Sequence, residues 1–195
     1  MSIVLHGVAA GKGIAIGHAH LITRGAAEVP QYDIDPDKLE AEVARFDNAI
    51  KATRKELEQL RGAIPENAPT ELGAFISLHL MLLTDVTLSR EPIDILREQK
   101  INAEWALKQQ SDKLAAQFDS IDDDYLRERK QDMLQVVRRI HNNLVGQSNE
   151  INLAGNLFDD TVLIAHDLSP ADTVLFKEQH ITAFVTDAGG PTSHT

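Results

Sequence analysis

The residues best suited to chemistry close the 195-residue chain: Gly189-Gly190-Pro191-Thr192-Ser193-His194-Thr195. An imidazole, with an ordinary pKa of about 6.5, can be a nucleophile near neutral pH. Paired glycines let the backbone approach a phosphate closely. The Thr192 and Ser193 hydroxyls can donate to phosphoryl oxygens, and a helix beginning here would aim free N–H groups at the same anion. The pattern points to a phosphorylatable histidine. A turn histidine can also be plain solvated surface, so the surrounding elements must decide.

Those elements divide the chain by periodicity. Residues 14–22 read as a strand, as do Thr161-Val162-Leu163-Ile164-Ala165 and Ile181-Thr182-Ala183-Phe184-Val185-Thr186, the last running into the Gly189-Gly190 turn. Between the last two, Ser169 can cap a short helix, Pro170 fits its first position and Asp172 completes a capping box. This strand-helix-strand unit carries His194 to the end of a strand, the edge where open α/β sheets bind ligands.

Residues 35–145 read as helical. Asp35-Pro36 starts a first helix whose stripe Leu39, Val43, Phe46, Ile50, Leu57 and Leu60 ends at Gly62. A last helix runs from the Asp122-Asp123-Asp124 cluster through Leu126, Met133, Val137, Ile140 and Leu144 to Gly146. Between them lie 72–83, 88–99 with a break near Pro92, and 102–121. The fold class expected is α+β: a bundle of two helical hairpins, 25–145, inserted into an α/β domain formed by 1–24 and 146–195.

Segment 72–83 is apolar around its whole axis. Either it is a fully buried central helix, or one face is left for a partner. From Gly62 to Leu96 the acids Glu66, Glu71, Asp85, Glu91 and Asp94 stand against Arg90, a rim suited to a basic protein. The net charge of −11 argues against nucleic acid or an anionic membrane as the main partner. Cysteine is absent, which excludes thiol chemistry and suits a reducing cytoplasm. The N-terminus lacks the pattern of a signal peptide, and the 72–83 run is too short to span a bilayer.

Several motifs run nearly end to end: Gly13-Ile14-Ala15-Ile16-Gly17, His79-Leu80-Met81-Leu82-Leu83, Asp123-Asp124-Tyr125-Leu126-Arg127-Glu128-Arg129, Asp167-Leu168-Ser169-Pro170, and 186–195. On these the chain resembles the N-terminal region of enzyme I of the bacterial phosphoenolpyruvate-dependent sugar phosphotransferase system. The final motif is shared with other phosphoenolpyruvate-using enzymes, whereas the helical insert points to enzyme I. The resemblance implies that His194 accepts a phosphoryl group originating from phosphoenolpyruvate and passes it to a histidine of the small phosphocarrier protein HPr. It implies that Thr173 hydrogen-bonds the His194 ring, with Gly189, Gly190, Thr192 and Ser193 in support. It places Glu71, His79, Met81, Leu82, Asp85 and Arg129 on or near an HPr-docking face.

Lys12 stands where the family usually has proline, so a local change of turn is expected. The resemblance also implies that a C-terminal domain, which binds phosphoenolpyruvate with Mg²⁺ and forms a homodimer, lies beyond this chain. The chain then reads as a fragment whose α/β phosphohistidine domain is itself truncated at its C-terminal end, with no cofactor or metal of its own, expected to be monomeric. Two other readings stay open: a carrier domain of another phosphoenolpyruvate-utilising enzyme, similar to that of pyruvate phosphate dikinase, and a non-enzymatic helical adaptor. Gly11-Lys12-Gly13 lacks P-loop spacing, and Asp122-Asp123-Asp124 lacks that of a Ca²⁺ loop. His18 and His20 share a strand face without an evident third metal ligand. His6, His141, His166 and His180 fall in no constellation legible from sequence.

Overall fold

The computed structural model describes residues 3–22, 29–66, 68–149, 160–166, 168–173, 176 and 181–187. It separates into two units, 1–26 with 151–195 and 27–150.

In the helical unit, a short 3-10 turn at Pro36–Lys38 leads into α1, Leu39–Ala63. Its buried side chains Val43, Phe46, Ala49, Thr53 and Leu57 keep the expected helical spacing, while Leu39, Ile50 and Leu60 flank that core half-buried. The helix runs one residue past Gly62 and stops where Ile64 turns extended ahead of Pro65. Helix α2, Thr70–Leu82, follows. The next expected helix is divided into α3, Val86–Ser89, and α4, Glu91–Gln99, with Pro92 in the first turn of α4, where its missing N–H costs nothing. Helix α5 spans Ala103–Asp119 and α6 spans Asp124–Leu144.

Met133, Val136, Ile140 and Leu144 carry the buried seam of α6, so Val136 rather than Val137 lies at its centre. The side chain of Leu126 lies outside the described residues. After α6, Gly146 takes φ 69°, the left-handed conformation that lets a helix end without a Cβ clash.

A polar clasp closes the bundle. Arg45 donates to both Glu104 oxygens at 2.7 Å, to Glu42 at 2.6 and 3.0 Å, and to the Leu144 carbonyl at 3.0 Å. Glu42 also accepts from the Ala103 N–H, an otherwise orphan donor at the start of α5. The Asn102 amide donates to Glu104 and to the Pro30 carbonyl, tying the segment ahead of α1 to the bundle. Burial pushes the Glu104 carboxyl up, but its bonds to Arg45 and Asn102 outweigh this and hold it below the ordinary glutamate range.

The α/β unit contains three parallel strands in the order β1 (His18–Ile22), β2 (Thr161–Ala165) and β3 (Ile181–Thr186). Strand character begins at His18, so only the last part of the expected 14–22 strand pairs. The reason is visible at Gly17. His18 N–H donates to the Asp160 carbonyl at 2.8 Å, and a Cβ on Gly17 would lie 2.0 Å from the same oxygen. The pairing therefore starts at a point only glycine can occupy.

The β2–β3 register shifts at Thr161/Val162: Ile181 pairs with Thr161, and Ala183 with Val162. Thr182 is thus the extra residue of a bulge, which reverses the alternation and brings Ile181 and Phe184 to one side. There Ile181 joins Leu163, Ala165, Leu168 and Phe176 in a small core, and the Phe184 ring lies 5.8 Å from that of Phe176. On the opposite side, Leu21, Ile164 and Val185 form one exposed register row. Among the described residues no single helix is long and apolar enough to cross a membrane.

Candidate functional site

The connection from β2 to β3 follows the capping chemistry expected of it. Helix α7, Pro170–Thr173, begins after Ser169. The Ser169 N–H donates to Asp172 Oδ2 at 2.8 Å, and the Ser169 hydroxyl donates to the same oxygen at 2.8 Å. The Asp172 N–H in turn reaches the Ser169 hydroxyl at 3.3 Å. Aspartate here does the work of the usual glutamate in a reciprocal capping box, buried at the root of the turn. Thr173 ends α7, half-buried, and its carbonyl accepts from the Phe176 N–H at 3.2 Å.

The carboxyl ends of the strands are aligned: Ile22 pairs with Ala165, and Ala165 with Thr186. One residue beyond, His166 Nδ1 lies 2.6 Å from Asp187 Oδ1. This pair was not legible from either residue alone. The available signal was that both directly follow the last residue of a strand, so that parallel pairing in register would bring them together. His194, Gly189, Gly190, Thr192 and Ser193 lie outside the described residues. His18 and His20 stand across from Thr161 and Leu163, and among the described residues no group of three or more His, Asp or Glu side chains has metal-holding geometry.

In the helical unit, α2 is neither wholly core nor wholly exposed. Ile76 and His79 are buried, Leu83 just beyond it is buried, Phe75, Leu80 and Leu82 lean on the core, and Met81 is 62% exposed. Glu71 sits exposed in the first turn. Asp85 caps α3, its carboxylate accepting from the Thr87 N–H at 2.8 Å and the Thr87 hydroxyl at 2.7 Å. Met81, Leu82 and Asp85 thus fall within one short stretch where α2 gives way to α3.

His79 departs from a simple contact role. Its ring has no exposed surface, sits 4.1 Å from the Phe75 ring, and finds no hydrogen-bond partner at either nitrogen among the described residues. Asp132 Oδ1 approaches Nε2 at 3.9 Å, an electrostatic contact beyond hydrogen-bond range. Burial pushes the imidazole pKa below its ordinary value, Arg139 and Arg138 add to this, and Asp132 only partly offsets it. Asp132 also receives Arg129 Nη1 at 3.4 Å. The structure therefore joins His79 and Arg129 through a shared carboxylate, with His79 inside and Arg129 half-exposed.

Two family models match in tandem. Residues 6–129 match the N-terminal region of PEP-utilising enzymes, and 157–195 match their mobile domain. The chain belongs to the PEP-utilising enzymes. Within this family it is similar to the phosphoenolpyruvate-protein phosphotransferase of Cupriavidus necator, 44% identical with the whole chain aligned to 34% of the relative. The Bacillus subtilis protein of the same name is 34% identical, aligned over 98% of this chain and 33% of its own length. The chain thus spans about a third of the length of those relatives. Among solved structures, the solution structure of an Enzyme I protein (nEIt) superposes with a TM-score of 0.77 at 35% identity, covering 96% of this chain and 75% of that one. The N-terminal domain of Enzyme 1 - Nitrogen, at 24% identity and a TM-score of 0.67 over 96% of this chain and 75% of its own, shares the fold.

Proposed function

We propose that this chain is the phosphoryl-carrying portion of an enzyme I, with His194 as the covalent carrier and HPr as the direct partner. The observation that carries the reading is the tandem order of matches: the N-terminal region with its helices over 6–129, then the mobile domain over 157–195, which contains the Gly189–Thr195 motif. The relatives' name, phosphoenolpyruvate-protein phosphotransferase, fits a chain that passes a phosphoryl group to a protein. A non-enzymatic adaptor would need the helices but not the capped strand-helix-strand unit leading toward His194.

In this reading the N–P bond is broken at one imidazole and formed at another, alternately on His194 and on the HPr histidine. Such transfer has a loose transition state, so positioning and charge stabilisation dominate over covalent participation. Thr173 would orient the His194 ring, with Gly189, Gly190, Thr192 and Ser193 shaping the turn. Phosphoenolpyruvate binding, Mg²⁺ and homodimer formation belong to the remainder of the longer enzyme, and the setting is the cytoplasm.

The docking face would be the end of α2 and the start of α3. Met81 and Leu82 supply apolar contact, Glu71 and Asp85 an acidic rim, and Arg129 a neighbouring cation. His79, being buried, would act from behind, through its packing under the docking face. An apolar centre with a charged rim predicts affinity for HPr that falls as salt rises. Titration of HPr into the His194→Ala chain at increasing ionic strength tests this: binding should persist without the carrier histidine and weaken with salt. Absence of binding in a folded chain would refute the partner assignment.

A further inference from the structure

The His166–Asp187 pair has no role in the reading above. Each residue is the first past its strand, at adjoining carboxyl ends of β2 and β3, just beyond the Ala165–Thr186 register pair. Nδ1 and Oδ1 are 2.6 Å apart. A carboxylate can only accept, so Nδ1 carries the proton and donates, leaving the Nε2 lone pair free in the neutral ring. The two side chains are 81% and 74% exposed. Ion pairs that exposed add little to global stability.

What the contact does constrain is local. Parallel strands are not joined by a hairpin at their carboxyl ends, so nothing in the ladder itself directs the chain once it leaves β3. Asp187 is the first residue of the stretch Asp187-Ala188-Gly189-Gly190-Pro191-Thr192-Ser193-His194, which joins β3 in sequence to the carrier histidine. The bond from β2's exit holds the residue at which that stretch begins.

We propose that His166 is a positioning residue for phosphoryl exchange at His194, acting through its Nδ1–H bond to Asp187 to direct the chain as it leaves β3. The inference rests on the reading of His194 as the carrier. His166 itself takes no phosphoryl group in this account; it sets geometry for a residue that does.

The test uses the full chain, with phosphorylated HPr as donor and the single-turnover rate of acid-labile labelling as readout. His166→Phe should slow labelling about two- to fivefold, the range an exposed charge-assisted pair can supply, with HPr affinity unchanged. His166→Asn should restore most of the rate, because its amide N–H can reach the same carboxylate oxygen. Two-bond ¹H–¹⁵N correlation of the His166 ring should show the Nδ1–H tautomer, and Asp187→Ala should remove that preference. A wild-type rate in His166→Phe, an Nε2–H tautomer, reduced HPr affinity, or label on His166 would each overturn the positioning role. Label that survives His194→Ala on another residue would instead overturn the carrier reading on which it rests.

Discussion

Lowering the pH from 7.5 to 5.5 should destabilise the helical unit through His79. The ring is fully buried, and its folded pKa is lowered, first by desolvation, then by Arg139 and Arg138, against the opposing pull of Asp132. In the unfolded chain the same imidazole takes up a proton as the pH falls through about 6.5. The folded ring resists, so the unfolded state binds more protons and stability falls with the pH. Stability held above pH 6.5 is lost on the way down toward the lowered folded value. One proton bounds the slope at about 1.36 kcal/mol per pH unit, so a ring still neutral at pH 5.5 costs at most about 1.4 kcal/mol relative to pH 7.5. Urea unfolding followed by far-ultraviolet circular dichroism at pH 7.5, 6.5 and 5.5 measures this, with His79→Leu as the reference that shares every other titrating group. The difference in stability between the two chains should shift in favour of His79→Leu as the pH falls. A pH-independent difference, or one that shifts the other way, would mean that the buried His79 ring does not resist protonation.

The remaining predictions separate surface, clasp and backbone. Met81→Ala should change folding stability by less than about 0.5 kcal/mol yet weaken HPr binding by about 1–3 kcal/mol, whereas Leu83→Ala, two residues on and buried, should cost about 2–5 kcal/mol of stability; calorimetric titration and urea unfolding read the two effects. Glu104→Gln should destabilise the bundle by about 1–3 kcal/mol in urea unfolding, below the usual cost of breaking a buried pair because Arg45 is 34% exposed and keeps Glu42. Gly17→Ala should push β1 away from Asp160, and amide exchange across His18–Ile22 should accelerate while that of α1 stays unchanged.

Long, strongly periodic features were the most legible in sequence. The stripe of α1, the break ahead of Pro92 and the capping box at Ser169 each follow from spacing or local hydrogen-bond chemistry and are found where expected, while α6 keeps the helical period with its buried seam moved from Val137 to Val136. Features set by three-dimensional register were not. The Thr182 bulge, the delayed start of β1 at His18 and the His166–Asp187 contact all depend on which residue of one strand lies opposite which residue of another. His79 shows a different limit. Helix α2 is apolar nearly all round, so periodicity could not tell its inward from its outward face, and the ring turns inward to Phe75 while Met81 faces solvent. Arg45 and Glu104, 59 residues apart, were invisible for the same reason as the strand contacts.

Whether His194 carries the phosphoryl group is decided by a labelling experiment. The chain is mixed with HPr bearing a phosphoryl group on its histidine, and the transferred label is tested for acid lability, base stability and position. An acid-labile, base-stable label is expected on His194, absent from the His194→Ala chain although HPr still binds it. A label of the same amount on His194→Ala, or none on the unaltered chain while HPr docks, would contradict it.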